Sequence, residues 1–490
     1  MRHIYFNIEG HSTSGVATFC NRVAEGANDS FIVSLNCTSE KPRFSNELLI
    51  EPSLSHNPKA IVKSLLEYLR QNGGVAGDWV LFPNVGDDCY ASSLLLKQNL
   101  LRGEVSSVAI VGICHSDDEN QYKVMQHYSE YLDSVLAVSS CIQKKLYSLL
   151  GVAFAERIFR LSYPVPHLEL SSKPQSSTAS PTLIYLGRLV REQKRIERLP
   201  VLVEELLRRK FDFRLLVVGD GKEREFVKSE FKRLTENWGW EDFQLLGFLN
   251  QTGVYDALAK SDISLLFSEY EGTPISVLEA ISVGVHPVVM NMDCLCDGLA
   301  KESSEIVTQG DLIGMAQAII DLWKDREKFQ LSRLKGRERV LKEHSTANCI
   351  LHLKTASLAA LAHSREKVVS IPSRLGYFDG KIERLLSDIG LVGDSIVVFG
   401  AGMFGRKVVD RLVSMGRVPV AILDSDSLKW NTEYRGIEIL EPKSLLDKPV
   451  KTLVVASDSF VEEILASLKE HYSVAELELP KLLFLPPDSE

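Results

Sequence analysis

The sequence predicts an α/β protein made of three successive Rossmann-like units, and three observations carry that expectation. Short apolar runs of β type alternate with segments of helical period along most of the 490 residues. Two polar connectors interrupt the alternation, and several strands run into glycine turns that open helices. The length itself calls for two to four domains, because single cores stop growing at roughly 250–300 residues.

The first unit, residues 1–165, carries five strand candidates: "HIYFNI", "SFIVSL", "DWVLFP", "SVAIVGICH" and "SVLAVS". The rhythm then breaks over Ser162 to Thr182, a stretch rich in Ser and Pro and poor in large apolar side chains, as a linker should be. A second unit, residues 181–345, repeats the pattern with "TLIYLGR", "FRLLVVGDG", "FQLLGFL", "ISLLFS" and "VHPVVMN". Residues 346–370 read as a return segment, helical from about Thr346 to His363 and then a connector. The third unit, residues 371–490, opens with "DSIVVFGAGMFG" and continues through "PVAILD" and "TLVVAS".

Hydrophobic content of 45%, charged content of 25% and 31 glycines are ordinary for soluble α/β proteins. A net charge of −9 argues against a general nucleic-acid binder, which would show a basic face. The eight cysteines are scattered, with no CxxC pair and no histidine at ligand spacing. That pattern implies a reduced, cytoplasmic chain with neither zinc nor disulfides. The apolar run at the N-terminus is too short for a signal peptide, and no span of 18 uninterrupted apolar residues occurs. Any membrane contact is therefore expected to be peripheral.

Four stretches of the second unit could meet at the carboxyl ends of their strands, where open α/β sheets bind ligands. In "YLGRLVREQKRIERL", Arg188 follows a strand and Lys194 lies near a helix start. Two such cations suit a diphosphate, although a solvated helix entrance would look the same. "VVGDGKERE" supplies a tight glycine turn, and "LLGFLNQTG" an aromatic at a strand end that suits a nucleobase or a core equally. In "EYEGTPISVLEA", Gly272, Thr273 and Pro274 form a turn from which Ser276 and Val277 lead into a helix whose amides would face the cleft. Glu271 before the turn and Glu279 along the helix could then bracket a nucleotide sugar, with the diphosphate between them.

"EGTPISVLEAISVGVHPVV", together with "GRLVREQKR" and "VVGDGKERE", resembles retaining glycosyltransferases of family four, which have the GT-B fold of two facing Rossmann-like domains. The resemblance covers about Met1 to His363 and departs from the commonest form at "GTP", where a Gly-Phe-Gly turn is frequent. It implies that Glu271 contacts the donor sugar, that Glu279 holds the ribose, and that Arg188 and Lys194 offset the diphosphate. It places Gly15, in "EGHSTSGVATF", on a loop approaching sugar and phosphate, and His115 near the transferred sugar. A strand-end histidine held only for structure is the alternative for His115. The implied donor is a UDP- or GDP-sugar, the implied acceptor a glycan or lipid-linked sugar of bacterial surface polysaccharide or lipopolysaccharide synthesis, and no metal is needed. A lipid-borne acceptor would bring the chain to the inner face of the plasma membrane.

In the third unit, Gly400, Gly402 and Gly405 stand in G-x-G-x-x-G spacing between strand and helix, and Asp424 ends the next strand where a dinucleotide fold places its ribose-binding acid. Close helix packing demands the same glycines. An NAD(P)-dependent nucleotide-sugar oxidoreductase or epimerase is accordingly one alternative function. Against it, the segment leaves little space for a substrate domain. A non-catalytic nucleotide-sugar sensor is another alternative, and homo-oligomerisation through the third unit a further role.

Overall fold

The computed structural model describes residues 1–8, 14–26, 29–37, 41–102, 105–167, 180–292, 295, 304–364, 376, 378–386, 395–445, 450–457, 461–474 and 480–484. Most of the two connectors expected at 162–182 and 364–374 lies outside these residues, as do Glu9 to Thr13 of the first glycine loop.

The first sheet contains β1 (Arg2–Asn7), β2 (Ser30–Ser34), β3 (Glu47–Leu49), β4 (Gly77–Phe82), β5 (Val105–Cys114), β6 (Ser134–Ala137) and β7 (Ile158–Arg160). Its order is β3-β2-β1-β4-β5-β6-β7, and every neighbouring pair is parallel. The second sheet holds β8 (Thr182–Leu186), β9 (Arg214–Val218), β10 (Phe243–Gly247), β11 (Ile263–Leu266), β12 (His286–Met290) and β13 (Glu305–Val307), ordered β10-β9-β8-β11-β12-β13 and again parallel. In both sheets the order reverses beside the first strand, which opens a crevice at the carboxyl ends of the strands.

Burial on both faces explains the near-continuous apolar runs of the central strands. The first core stacks Tyr5 on Phe82 with ring centroids 4.5 Å apart, and Trp79 is fully enclosed. The second core is built around Leu183, Tyr185, Leu215, Phe231 and Phe267.

The helix Thr346–Ser364 crosses back and packs on the first sheet, not the second. Cys349, Leu353, Ala356 and Ala360 join the first core, and Ser134 donates to the Ala356 carbonyl at 3.1 Å. The chain thus leaves the first unit, builds the second, and returns, so the first and second units are tied twice.

The third sheet comprises β14 (Ile396–Phe399), β15 (Ala421–Leu423), β16 (Thr432–Tyr434), β17 (Ile437–Leu440), β18 (Thr452–Val455) and β19 (Lys481–Phe484), ordered β16-β17-β15-β14-β18-β19. Here β16 and β17 are antiparallel. Arg435 and Gly436 have φ of 56° and 72°, the paired positive values of a type I′ hairpin. The Arg435 guanidinium is held at 2.8 Å by Asp410.

Three histidines are buried without charge. Burial lowers His3 to about 4 and His286 and His115 to about 3. In the unfolded chain each would titrate near 6.5. Below that pH the unfolded state takes up protons that the folded state refuses, so stability is lost as pH falls toward the folded values. Each histidine contributes a slope of up to about 1.4 kcal/mol per pH unit. Urea midpoints should therefore fall between pH 7.5 and 5.5, and His286→Gln should flatten that fall; a midpoint constant over this range would contradict the assignment.

Candidate functional site

The site forms where the carboxyl ends of the first and second sheets face each other. Its floor is backbone. After β8, the Gly187 amide donates to Val218 at 3.0 Å and Leu189 to Asp220 at 3.0 Å, so the chain around Arg188 is laced to the turn after β9. Gly219, at φ 136°, approaches so closely that an added Cβ would lie 1.9 Å from the Gly187 carbonyl oxygen. The glycines of "VVGDG" are thus required by the close approach of two strand ends, whatever binds above them.

On this floor Arg188 is exposed and its guanidinium donates to Gln193 at 2.8 Å; Gln193 in turn donates to the Tyr270 carbonyl at 3.1 Å. Lys194 pairs with Glu271, and Ser268 donates to the same carboxylate oxygen at 2.8 Å. The cation expected at the diphosphate and the carboxylate expected at the donor sugar therefore touch each other here.

Glu279 lies on the helix Ile275–Ser282, one turn and more beyond Gly272. Its carboxylate receives Arg22, from the helix Gly15–Gly26 of the first unit, and the Tyr255 hydroxyl at 3.4 Å. Arg22 also donates to the Pro164 carbonyl at 2.7 Å and to the Tyr255 oxygen at 3.2 Å. Only 7% of the Arg22 side chain is exposed, so this ion pair is shielded from solvent. Burial and the neighbouring Glu279 push the Tyr255 hydroxyl up, keeping it a donor at all ordinary pH.

The turn residues divide between roles. A Cβ on Gly272 would meet the His115 carbonyl oxygen at 1.8 Å, so glycine is what lets the two units touch. Thr273 donates to the Val138 carbonyl at 2.6 Å, a second contact between the units. Val277 is buried in the core and its amide donates back to Pro274 at 3.0 Å, so that amide is spent inside the turn. Ser276 stays partly exposed at the helix start. Gly15 is the first residue of its own helix, its Cα facing Ile275 closely enough that a Cβ would lie 3.2 Å from the Ile275 Cδ1 atom. Two helix N-termini therefore converge from opposite units, an arrangement suited to an anion.

His115 follows β5 and is bound on both ring nitrogens. Nδ1 faces the Tyr163 hydroxyl, and Nε2 lies 3.0 Å from Asn84 Oδ1. Because the Asn84 amide group donates to the Phe6 carbonyl at 2.7 Å, its oxygen is the acceptor, which puts the histidine proton on Nε2. The ring is a neutral, fixed element; its backbone carbonyl is the part that faces the Glu271 turn. Neither Arg22, Tyr255 nor Asn84 announces itself in the sequence, since none stands in a local motif.

A cavity of about 330 Å³ opens beside this turn, lined by Asp117, Glu269, Glu271, Asn291 and Gln309 among others. That is the small end of the range for small-molecule sites, about 300–1,000 Å³. Phe248, 60% exposed after β10, stands at the far side of the second sheet. Among the described residues no group of His, Cys, Asp or Glu could hold a metal ion, and no helix is long and apolar enough to cross a membrane.

In the third unit Gly400 has φ of 117°, and a Cβ on Gly405 would lie 1.8 Å from the Gly400 carbonyl oxygen. Both are demanded by packing, whereas Gly402 has open space around it. The Asp424 carboxylate accepts from the Ala401 amide at 2.7 Å, from the Asp426 amide at 2.8 Å and from Lys429 at 3.0 Å. The acid expected at a ribose is bonded within the protein.

Two facing parallel sheets with a returning helix and a site between their carboxyl edges define a GT-B-type fold. Solved structures agree. This chain is similar to a glycosyltransferase from Rickettsia africae (17% identity, TM-score 0.57, covering 73% of this chain and 98% of that one). It is likewise similar to Anabaena HepE in complex with UDP-glucose (13% identity, TM-score 0.58, 73% and 100%) and to a sucrose-phosphate synthase from Thermosynechococcus elongatus (16% identity, TM-score 0.56, 74% and 100%). Residues 180–325 match the family described as Glycosyl transferases group 1, and this segment, with the second sheet and the Glu271 turn, is such a domain. The N-acetyl-alpha-D-glucosaminyl L-malate synthase of Bacillus anthracis is 29% identical over 145 residues, which span 29% of this chain and 37% of that enzyme.

Replacing Gly272 by Ala should force the His115 carbonyl away and part the two units. Small-angle scattering of Gly272→Ala should show a larger radius of gyration than the wild type, with both units still folded. An unchanged radius and unchanged thermal midpoint would show that the contact does not set the spacing.

Proposed function

We propose that the protein is a retaining glycosyltransferase that moves a sugar from a UDP- or GDP-sugar to a glycan or lipid-linked acceptor in the synthesis of a bacterial surface polysaccharide. The observation that supports this most directly is the placement of Glu271 and Glu279 around the start of the helix Ile275–Ser282, inside a group 1 glycosyltransferase domain and with Lys194 and the Arg188–Gln193–Tyr270 bridge beside the turn. That HepE was solved with UDP-glucose agrees with a nucleotide-sugar donor.

In this reading the diphosphate lies at the helix start between Arg188 and Lys194, Glu279 receives the ribose hydroxyls, and Glu271 meets the donor sugar. Phe248 offers an apolar face on the base side. As the glycosyl bond breaks, negative charge grows on the departing phosphate, and cations already positioned there lower the barrier without reorganising. The acceptor hydroxyl attacks from the same face, and the departing phosphate oxygen takes its proton. His115, neutral and fixed, walls the sugar site and keeps its carbonyl against the Glu271 turn. No metal enters this scheme.

The donor must enter a site whose charges are already paired. Lys194 turns from Glu271 toward phosphate, which frees the carboxylate for sugar hydroxyls, and the ribose shares Glu279 with Arg22. The third unit is given no redox role, because the Asp424 oxygens are bonded to Ala401, Asp426 and Lys429.

Glu279→Gln should weaken UDP binding by about tenfold in calorimetry, the scale of one lost charge-assisted hydrogen bond. Arg188→Ala should lower turnover by about a hundredfold, measured as UDP or GDP release from a panel of nucleotide sugars, with a smaller effect on UDP affinity. Wild-type binding and turnover in both variants would remove the site assignment. Failure of the wild type to bind either UDP or GDP would remove the transferase reading itself.

A further inference from the structure

The third unit is joined to the first by a buried charge cluster that the transferase site does not itself use. The helix Asp87–Leu101 follows β4 through a tight loop, with Asn84 at φ 56° and Gly86 at φ 93°. Its first two residues, Asp87 and Asp88, are fully buried. Lys407, on the helix Met403–Ser414 of the third unit, reaches into this corner. Its Nζ lies 2.8 Å from Asp87 Oδ2 and 2.7 Å from Asp88 Oδ1, with only 10% of the side chain exposed. Tyr128 donates to Asp87 at 2.7 Å, and His56 Nδ1 lies 3.0 Å from Asp88.

Burial alone would raise the Asp88 carboxyl; Lys407 and His56 overcome it and hold the group below its usual range. Burial likewise opposes the charge on Lys407, and Asp88 and Asp87 more than restore it. Two desolvated carboxylates at one helix start tolerate each other only while a cation sits between them. The helix dipole assists, but the lysine is what comes from the third unit.

The loop held by this corner is the one that carries Asn84. Two residues separate Asn84 from Asp87, and one of them, Gly86, lies so close to Ile8 that a Cβ would lie 2.4 Å from Ile8 Cδ1. Asn84 fixes the proton and orientation of His115, and the His115 carbonyl packs on Gly272 next to Glu271. A continuous chain of contacts thus runs from Lys407 through Asp87 and Asp88, the Pro83–Gly86 loop, Asn84 and His115 to the Glu271 turn.

We propose that Lys407 is a positioning residue for the transfer step, and that the third unit acts on the active site by clamping the loop that orients His115. The proposal rests on the transferase reading for its effect on rate, and on the contact chain alone for its effect on His115.

The test uses the full chain with Lys407→Met, Lys407→Arg and the double substitution Asp87→Asn, Asp88→Asn. Turnover is read as nucleotide release from the UDP- or GDP-sugar that the wild type accepts, nucleotide affinity by calorimetry with UDP, and the His115 tautomer by NMR of isotope-labelled histidine rings, its signal identified by loss in His115→Gln. Lys407→Met should bind UDP within about twofold of wild type, since Arg188, Lys194 and Glu279 lie in the second unit. Its kcat should fall by about ten- to a hundredfold, the range expected when a reacting geometry loosens. Lys407→Arg should recover most of that loss, the double variant should match Lys407→Met, and His115 should change from one Nε2–H form to a mixture.

Wild-type kcat and an unchanged His115 signal in Lys407→Met would overturn the proposal. A parallel loss of UDP affinity and kcat would overturn it too, by showing general damage. If the wild type turns over no nucleotide sugar, the transferase reading fails, and the His115 signal alone decides whether Lys407 governs the loop.

Discussion

The approach of the His115 carbonyl to Gly272 is the constraint on which the rest of the site depends. Two sheets facing each other through side chains would leave a cleft whose width follows the side chains. Here backbone meets backbone, and the missing Cβ sets the spacing. Thr273, bonded to Val138, and Gly15, close against Ile275, repeat the contact on either side of it. Once those contacts fix the two units, the helix starts at Gly15 and Ile275 converge and Arg22 can reach Glu279.

Within that frame the charges form an exchange system. Lys194 with Glu271, and Arg22 with Glu279, are paired in the protein without a ligand. A shielded carboxylate with no partner would be costly, so these pairs keep the site foldable. They also mean that a donor gains only the difference between its own contacts and those it displaces. In the proposed reading, a ligand carrying both phosphate and diol groups engages both pairs at once, drawing Lys194 from Glu271 and sharing Glu279 with Arg22, whereas either group alone would meet only one of them. The second pair has a further consequence. Because Arg22 also holds the Pro164 carbonyl beside the crossover, a shift of Arg22 is felt where the two units are joined.

Much of the fold was legible in the sequence because buried parallel strands must be apolar along their whole length. "LIYL", "LLVV", "ISLL" and "PVVM" could not serve otherwise. The edge strands β3, β7, β13, β16 and β19 escaped because they are three or four residues long, too short for an apolar run to establish a strand pattern. The Glu271–Glu279 pair was visible because one turn and one helix carry both residues at a fixed spacing. Arg22, Tyr255, Asn84 and Lys407 were not, because each meets its partner across long stretches of chain, and no local pattern records such a contact. The first two hold the carboxylate at Glu279, Asn84 holds His115, and Lys407 holds Asp87 and Asp88. The sequence thus displays the groups that would face a ligand more readily than those that keep them in place.

The third unit shows how a motif can be correct in form while its residues serve other ends. Gly400 and Gly405 let the helix Met403–Ser414 lie against the end of β14, and Asp424 ties the glycine turn to β15 through the Ala401 amide. These are the demands of the strand-turn-helix unit itself, met before any ligand is considered. The helix so fixed then presents Lys407, one turn inward from Gly402, to a corner of the first unit where two buried carboxylates wait. Rigidity at the glycine turn is what makes that delivery possible, since a lysine on a loosely held helix would lose in conformational entropy what it gained from the carboxylates. The G-x-G-x-x-G spacing, read alone as a cradle for phosphates, is in this chain sufficient to explain a rigid arm.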